Sequence, residues 1–203
     1  MNAKKFFPLT TAAVALSLAV AGCSATPPGP GSMPGMSHGN ASAPASSSSA
    51  DHNAADVMFA QMMIPHHAQA VEMSDAMLAK ANIPAAVTEL ANKIKAAQAP
   101  EIEKMTGWLQ SWNMPVMGSS GHGGHGMDGM LSESELQKLS EAQGTEASKL
   151  FLSQMIAHHE GAISMAKTEI NQGKFPEAIQ LSKDIVTSQE KEIQEMKTLL
   201  ATL

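Results

Sequence analysis

Met63, His66 and His67 form a Met-x-x-His-His cluster, and Met155, His158 and His159 repeat it later in the chain. On a helix a thioether three residues before one ring and four before the next shares a face with both. Imidazole nitrogen suits copper, zinc, iron and nickel, whereas a thioether selects mainly for Cu(I). The pattern therefore points to a metal ion, with copper as Cu(I) favoured and zinc or iron as alternatives. Met is a common core filler, and one His on an apolar stripe is readily a structural residue. Two doublets at matched positions are harder to read that way. Met73 lies on the stripe of Phe59, Met63, His66 and Ala70, and Met165 is its later counterpart.

Two further helical stripes carry polar intrusions. Ile94, Gln98, Glu101, Met105 and Trp108 share one face, as do Ile185, Gln189, Glu192, Met196 and Leu199. A buried carboxylate must be paired or hydrogen-bonded. Glu101 and Glu192, with Gln98 and Gln189, are thus candidate outer partners that hold the His rings. As direct ligands instead, the two carboxylates would shift the site towards zinc, manganese or iron. At the edge of their stripe they would simply reach water.

A second ligand-dense stretch lies between the clusters. Met114, Met117, His122, His125, Met127 and Met130 crowd one Gly-rich segment. Met117, His122, His125, Met127 and Met130 form a candidate second metal site, adaptable and weaker, or else a plain Gly-rich connection.

The elements that position these residues are helical. The apolar spacing predicts helices over about 56–81 and 84–112, the first stopped by Asn82 and Pro84, the second by Asn113-Met114-Pro115. Ser132 and Glu135 make a capping box for a short helix that ends near Gly144. A third long helix follows Thr145 and stops at Gly173, and a fourth starts at Pro176. Pro65 and Pro100 fall inside the first two helices, where each removes a backbone donor.

The halves, about 54–113 and 145–203, are an internal repeat. Phe59, Met63, Ile64, His66, His67, Ala70 and Met73 recur 92 residues on as Phe151, Met155, Ile156, His158, His159, Ala162 and Met165. Leu90, Ile94, Gln98, Glu101, Ile102 and Met105 recur as Leu181, Ile185, Gln189, Glu192, Ile193 and Met196. Neither helical hairpin can bury its apolar face alone. The expected fold is all-α: a four-helix bundle of two duplicated hairpins joined by a long Gly-, His- and Met-rich loop.

Composition narrows the function. All 13 basic residues are Lys and the formal net charge is −6. Without Arg or a basic patch, nucleic-acid binding has little to work with. Lys4, Lys5 and the apolar run from Phe6 to Ala21 read as a secretory signal over 1–22. Val20-Ala21-Gly22-Cys23 resembles a bacterial lipobox, with Cys23 as the acylated residue. Cys23 is the only cysteine, so disulfides and paired-cysteine metal sites are excluded. Residues 23–53, rich in Pro, Gly, Ser and Ala, read as a flexible linker ahead of a domain over 54–203. The expected setting is extracytoplasmic, with a lipid anchor in the bacterial membrane.

The pattern F-x3-M-I-x-H-H-x2-A-[VI]-x-M, followed by Q-x2-E-I-x2-M, resembles the bacterial family called domain of unknown function 305. The likeness covers about residues 54–203 and occurs in both halves. It implies a ferritin-like helical bundle, mostly extracytoplasmic, with some members associated with copper binding and resistance. The positions that would carry that role are Met63, His66, His67, Met73, Met155, His158, His159 and Met165.

The reading that follows is a non-enzymatic copper binder that sequesters the ion or hands it to a copper-transfer protein. A bundle di-metal oxidase is disfavoured, because the Glu-x-x-His pattern of such sites is absent. A metal-free structural lipoprotein would leave the repeated doublets without a role. No nucleophile–base arrangement is visible.

Overall fold

The computed structural model describes residues 52–117 and 128–203, which fall in one compact unit. Among them are five helices and no strand: α1 (Ala54–Leu78), α2 (Ala85–Ser111), α3 (Glu133–Glu141), α4 (Gly144–Gln172) and α5 (Pro176–Thr202). Residues 1–22 with Cys23, most of the expected linker, and His122, His125 and Met127 lie outside the described residues.

Local chemistry explains the helix ends. Asn53 caps α1, its Oδ1 accepting from the Ala55 and Asp56 N–H groups at 2.8 and 3.1 Å. Asp56 returns the bond, Oδ2 accepting from the Asn53 N–H at 2.6 Å. Such a cap contributes about 1 kcal/mol. The helix expected over 56–81 therefore starts and stops slightly earlier. Asn82 and Asn113, just past α1 and α2, take left-handed φ of 59° and 55°, which Asn tolerates better than most residues. Both α1 and α2 run unbroken through Pro65 and Pro100.

Gly144 opens α4, with φ of 54°, where the sequence placed it at the end of the short helix. Gly173 does end α4, but its φ of −67° is not left-handed. Its role is spatial, since a Cβ there would collide with the carboxyl group of Glu169.

The short connection 79–84 folds α2 back along α1, and 173–175 folds α5 along α4. These two helix pairs pack most extensively, α1 meets α4 across the middle, and α2 barely touches α5. The apolar interior forms two clusters. One joins the first half of α1 to the later part of α4, through Phe59, Met63, Met105, Leu109 and Ala162. The other joins the second half of α1 to the first part of α4, through Met73, Met77, Leu90, Phe151 and Met155. Along both helices the His doublets fall where one cluster gives way to the other.

Candidate metal centre

All four imidazoles, His66, His67, His158 and His159, are fully buried. The His66 and His158 rings meet at the α1–α4 contact, their centroids 3.7 Å apart and their planes tilted by 41°. His159 lies 6.4 Å from His158, centroid to centroid. The repeat thus brings both doublets to one level of the interior.

Their outer partners are carboxylates on the second helix of each pair. His67 Nε2 is 2.7 Å from Glu101 Oε2, and His159 Nε2 is 2.8 Å from Glu192 Oε2. A carboxylate only accepts, so each Nε2 carries the proton and each Nδ1 presents its lone pair. His66 Nε2 lies 3.3 Å from the Asp128 carbonyl oxygen, which fixes the same tautomer. The Nδ1 atoms of His66, His67 and His159 are buried with no hydrogen-bond partner. Buried polar atoms are rarely left so. Three lone pairs locked in place by their own rings' N–H bonds match the way metal-binding His is held.

Electrostatics keeps the His66, His158 and His159 rings neutral. Burial lowers the pKa of His66 to about 3, helped by repulsion from His67 and His159 and opposed by the Asp128 bond. Burial also holds His158 well below the ordinary value, with His66, His159 and His67 adding to the effect. For His159 burial again prevails, against the opposing pull of Glu192. Neutral imidazole is the form that binds a metal.

The other sequence-predicted residues divide. Met63 and Met155 are fully buried but belong to different apolar clusters, one on each side of the His level. Met73 is buried with Met155, and Met165 is partly exposed against the opposite cluster. Glu192 is nearly enclosed, its side chain 6% accessible, whereas Glu101 keeps 20%. Gln98 is buried with neither amide atom partnered, as is Gln189 Oε1, so no hydrogen bond joins them to the rings. Met117 is exposed and Met130 half-buried. Among the described residues, no three of His, Cys, Asp and Glu converge to hold a metal by themselves.

A piece that sequence reasoning missed closes the site. Gln69 clamps Leu131, donating from Nε2 to its carbonyl at 3.0 Å and accepting from its N–H at 2.7 Å. Gly161 lies under the same strap, and a Cβ there would collide with the Asp128 carbonyl. Gly129, at φ of 85°, sits where a Cβ would be 2.6 Å from the Ala157 carbonyl oxygen. Gln69 and Gly161 are equivalent in the 92-residue repeat and differ in type, but so do neighbouring pairs such as Ala68 and Glu160, so the repeat alone does not single them out.

A second buried constellation also went unread. Asp56 Oδ1 accepts from the Lys174 and Phe175 N–H groups at 3.0 and 2.9 Å, tying the start of α1 to the start of α5. Glu169 lies against Asp56 and is pushed up to about 8, first by burial and then by the hydrogen bond and charge of Asp56. Glu169 therefore holds a proton at neutral pH beside Asp56, whose own pKa is lowered, against the opposing effect of burial, by Glu169 and by the backbone N–H groups of Asn53, Phe175 and Lys174.

The family model for a domain of unknown function, DUF305, matches residues 56–200. A DUF305 protein of Streptomyces coelicolor, a candidate secreted protein, is similar in structure at 36% identity and a TM-score of 0.67, over 73% of this chain and 91% of that one. CopM in its Cu(II)-bound form is similar at 37% identity and a TM-score of 0.63, over 72% and 96% of the two chains. Its Cu(I)-bound form gives 34% and 0.60 over the same shares. Uncharacterized protein L153 of Acanthamoeba polyphaga mimivirus is 46% identical over 52 residues, about a quarter of this chain and 34% of that relative's length. With the model match spanning most of its length, this chain belongs to the DUF305 family.

Proposed function

We propose that this chain is an extracytoplasmic copper-binding protein that sequesters the ion or passes it on, and that it is not an enzyme. The observation that carries this reading is the set of buried, unpartnered lone pairs on Nδ1 of His66, His67 and His159, each in a tautomer set by Glu101, Glu192 or the Asp128 carbonyl. Further support comes from the likeness to CopM, which has been solved with Cu(I), Cu(II) and silver. In this reading the fold is a ferritin-like four-helix bundle made of two duplicated hairpins. His66, His67, His158 and His159 supply nitrogen, and Met63, Met155, Met73 and Met165 are the candidate thioethers. Zinc prefers four nitrogen, sulfur or oxygen ligands in a tetrahedron. A buried site of imidazoles backed by thioethers better suits Cu(I), with zinc or iron as competitors.

The anchoring of the chain belongs to the same proposal. Cys23, behind the signal at 1–22, takes the lipid, and 23–53 tethers the domain to the membrane. No helix of the described residues is long and apolar enough to cross a membrane. Extracytoplasmic placement draws on the Streptomyces relative. A copper-transfer protein is the natural recipient.

The test is competitive titration of the whole chain with Cu(I), Cu(II) and Zn(II) under graded chelators, repeated after His66, His67, His158 and His159 are each changed to Ala. Circular dichroism checks that each variant remains helical. The expected result is Cu(I) binding that weakens with each folded variant. Copper affinity no greater than that of an unrelated helical bundle would overturn the proposal.

A further inference from the structure

Outside the buried centre, the large apolar residues left exposed among the described residues are Met58, Met114, Val116 and Met117. They sit in one region. Met58 is 59% exposed on α1, and Met62 lies one helical turn further along the same face. Both line a cleft of about 560 Å³ with His52, Met114 and Met117. An adjoining cleft of about 410 Å³ shares Met58 and Met62 and adds Met165. The walls are held in place. Gln61 donates from Nε2 to the Pro115 carbonyl at 2.9 Å, fixing the segment after α2 against α1. The His52 ring stacks on Trp112, centroids 4.4 Å apart and planes within 9°.

We propose that His52, Met58, Met62, Met114 and Met117 form a second, solvent-facing soft-metal site that takes Cu(I) or Ag(I). The side-chain types argue for it. A patch meant only for apolar contact would be served by Leu, Ile or Phe. Here four thioethers and one imidazole line the cleft, beside Gln61, Asn53, Ala54 and Val57. A thioether is neutral and soft, so several around one ion select a monovalent soft cation over Zn(II) or Mg(II). Unlike the buried centre, this cleft is open, so an ion can enter and leave without moving the 128–131 strap. The site stands independently of the His doublets and contains none of them.

Both of the chain's Trp residues, Trp108 and Trp112, lie in the aromatic cluster next to this cleft and away from the His level. Intrinsic fluorescence therefore reports on it selectively. The experiment titrates Ag(I) into the whole chain carrying Cys23→Ser, which removes the competing thiol. Trp emission is followed together with the methyl resonances of 13C-labelled Met. Quenching and shifts of the Met58, Met62, Met114 and Met117 methyls are expected. Changing those four to Leu should abolish the quenching and remove one equivalent of bound Ag(I), with the melting temperature unchanged. His52→Phe keeps the stack on Trp112 and should weaken the site by about tenfold. His159→Gln, in the buried centre, should leave the quenching intact. Unmoved methyl signals, or the same stoichiometry and quenching in the Leu variant, would overturn the proposal.

Discussion

Glu192→Gln tests whether the carboxylates hold the rings for a metal. Gln keeps the shape and a carbonyl acceptor for the His159 N–H, so the 2.8 Å contact survives without its charge. A hydrogen bond to a charged partner contributes about 1.5–3 kcal/mol and a neutral one about 0.5–1.5, so the change costs about 1–1.5 kcal/mol of ring orientation and basicity. That corresponds to about a tenfold loss of affinity, at the low end of what losing an outer-shell partner does. Protonation does not contribute. Burial already lowers the His159 pKa, and removing the Glu192 charge lowers it further, so the ring is neutral at neutral pH in both proteins. Glu101→Gln should cost less, because the Glu101 side chain is 20% accessible against 6% and water can replace part of its bond. Anaerobic Cu(I) titration against a chromophoric chelator, with a thermal melt of each metal-free variant, measures both effects. Wild-type affinity in Glu192→Gln, or an equal or larger loss in Glu101→Gln, would refute the reasoning.

Three further changes probe other parts of the molecule. Gly161→Ala gains about 1 kcal/mol of helix propensity but drives a methyl into the Asp128 carbonyl, so the strap must lift. The Leu131 amide, bonded to Gln69, should then exchange faster, and unchanged protection would show that the strap does not depend on the glycine. Met63→Leu and Met155→Leu conserve volume, so each should cost less than about 1.5 kcal/mol of stability. A fall in Cu(I) affinity with Zn(II) affinity unchanged would mark the thioether as a ligand, and parallel behaviour of both ions would mark it as core. For Glu169 the folded pKa of about 8 lies above the ordinary 4.5. Between those values the folded chain keeps a proton that the unfolded chain releases, so this group makes stability fall as pH rises, levelling off above about 8. Glu169→Gln carries its own donor to Asp56 and should flatten that slope in denaturant midpoints taken between about pH 5 and 8. A slope as steep as the wild type's would place its origin elsewhere.

What could be read from the sequence depended on periodicity. The stripes carrying His66, His67, Glu101 and their repeats follow from helical spacing, because a residue's face is decided by its own helix. Distances between helices are not written that way. That His66 and His158 meet at 3.7 Å depends on how α1 crosses α4, and no residue type announces it. The Asp56–Glu169 pair was hidden for a related reason. Asp56 looks like an ordinary first-turn acid, and only the fold brings the Lys174 and Phe175 N–H groups and Glu169 to it. Met58 and Met62 were hidden by chemistry, since a thioether serves core and ligand alike.

The repeat was most informative where it failed. Equivalent positions in two halves face equivalent surroundings unless something from outside the symmetry intervenes. At Gln69 and Gly161 the intruder is the strap at 128–131, present once for the two halves. One half supplies an amide that grips it and the other removes a side chain to admit it. The strap's carbonyl at Asp128 then sets the tautomer of His66 alone, whereas Glu101 and Glu192 serve His67 and His159 alike. His158, the symmetry mate of His66, receives no bond from the strap and faces the His66 backbone instead. The four imidazoles are therefore not held alike: His67 and His159 are each fixed by a carboxylate, and His66 by the carbonyl of the strap.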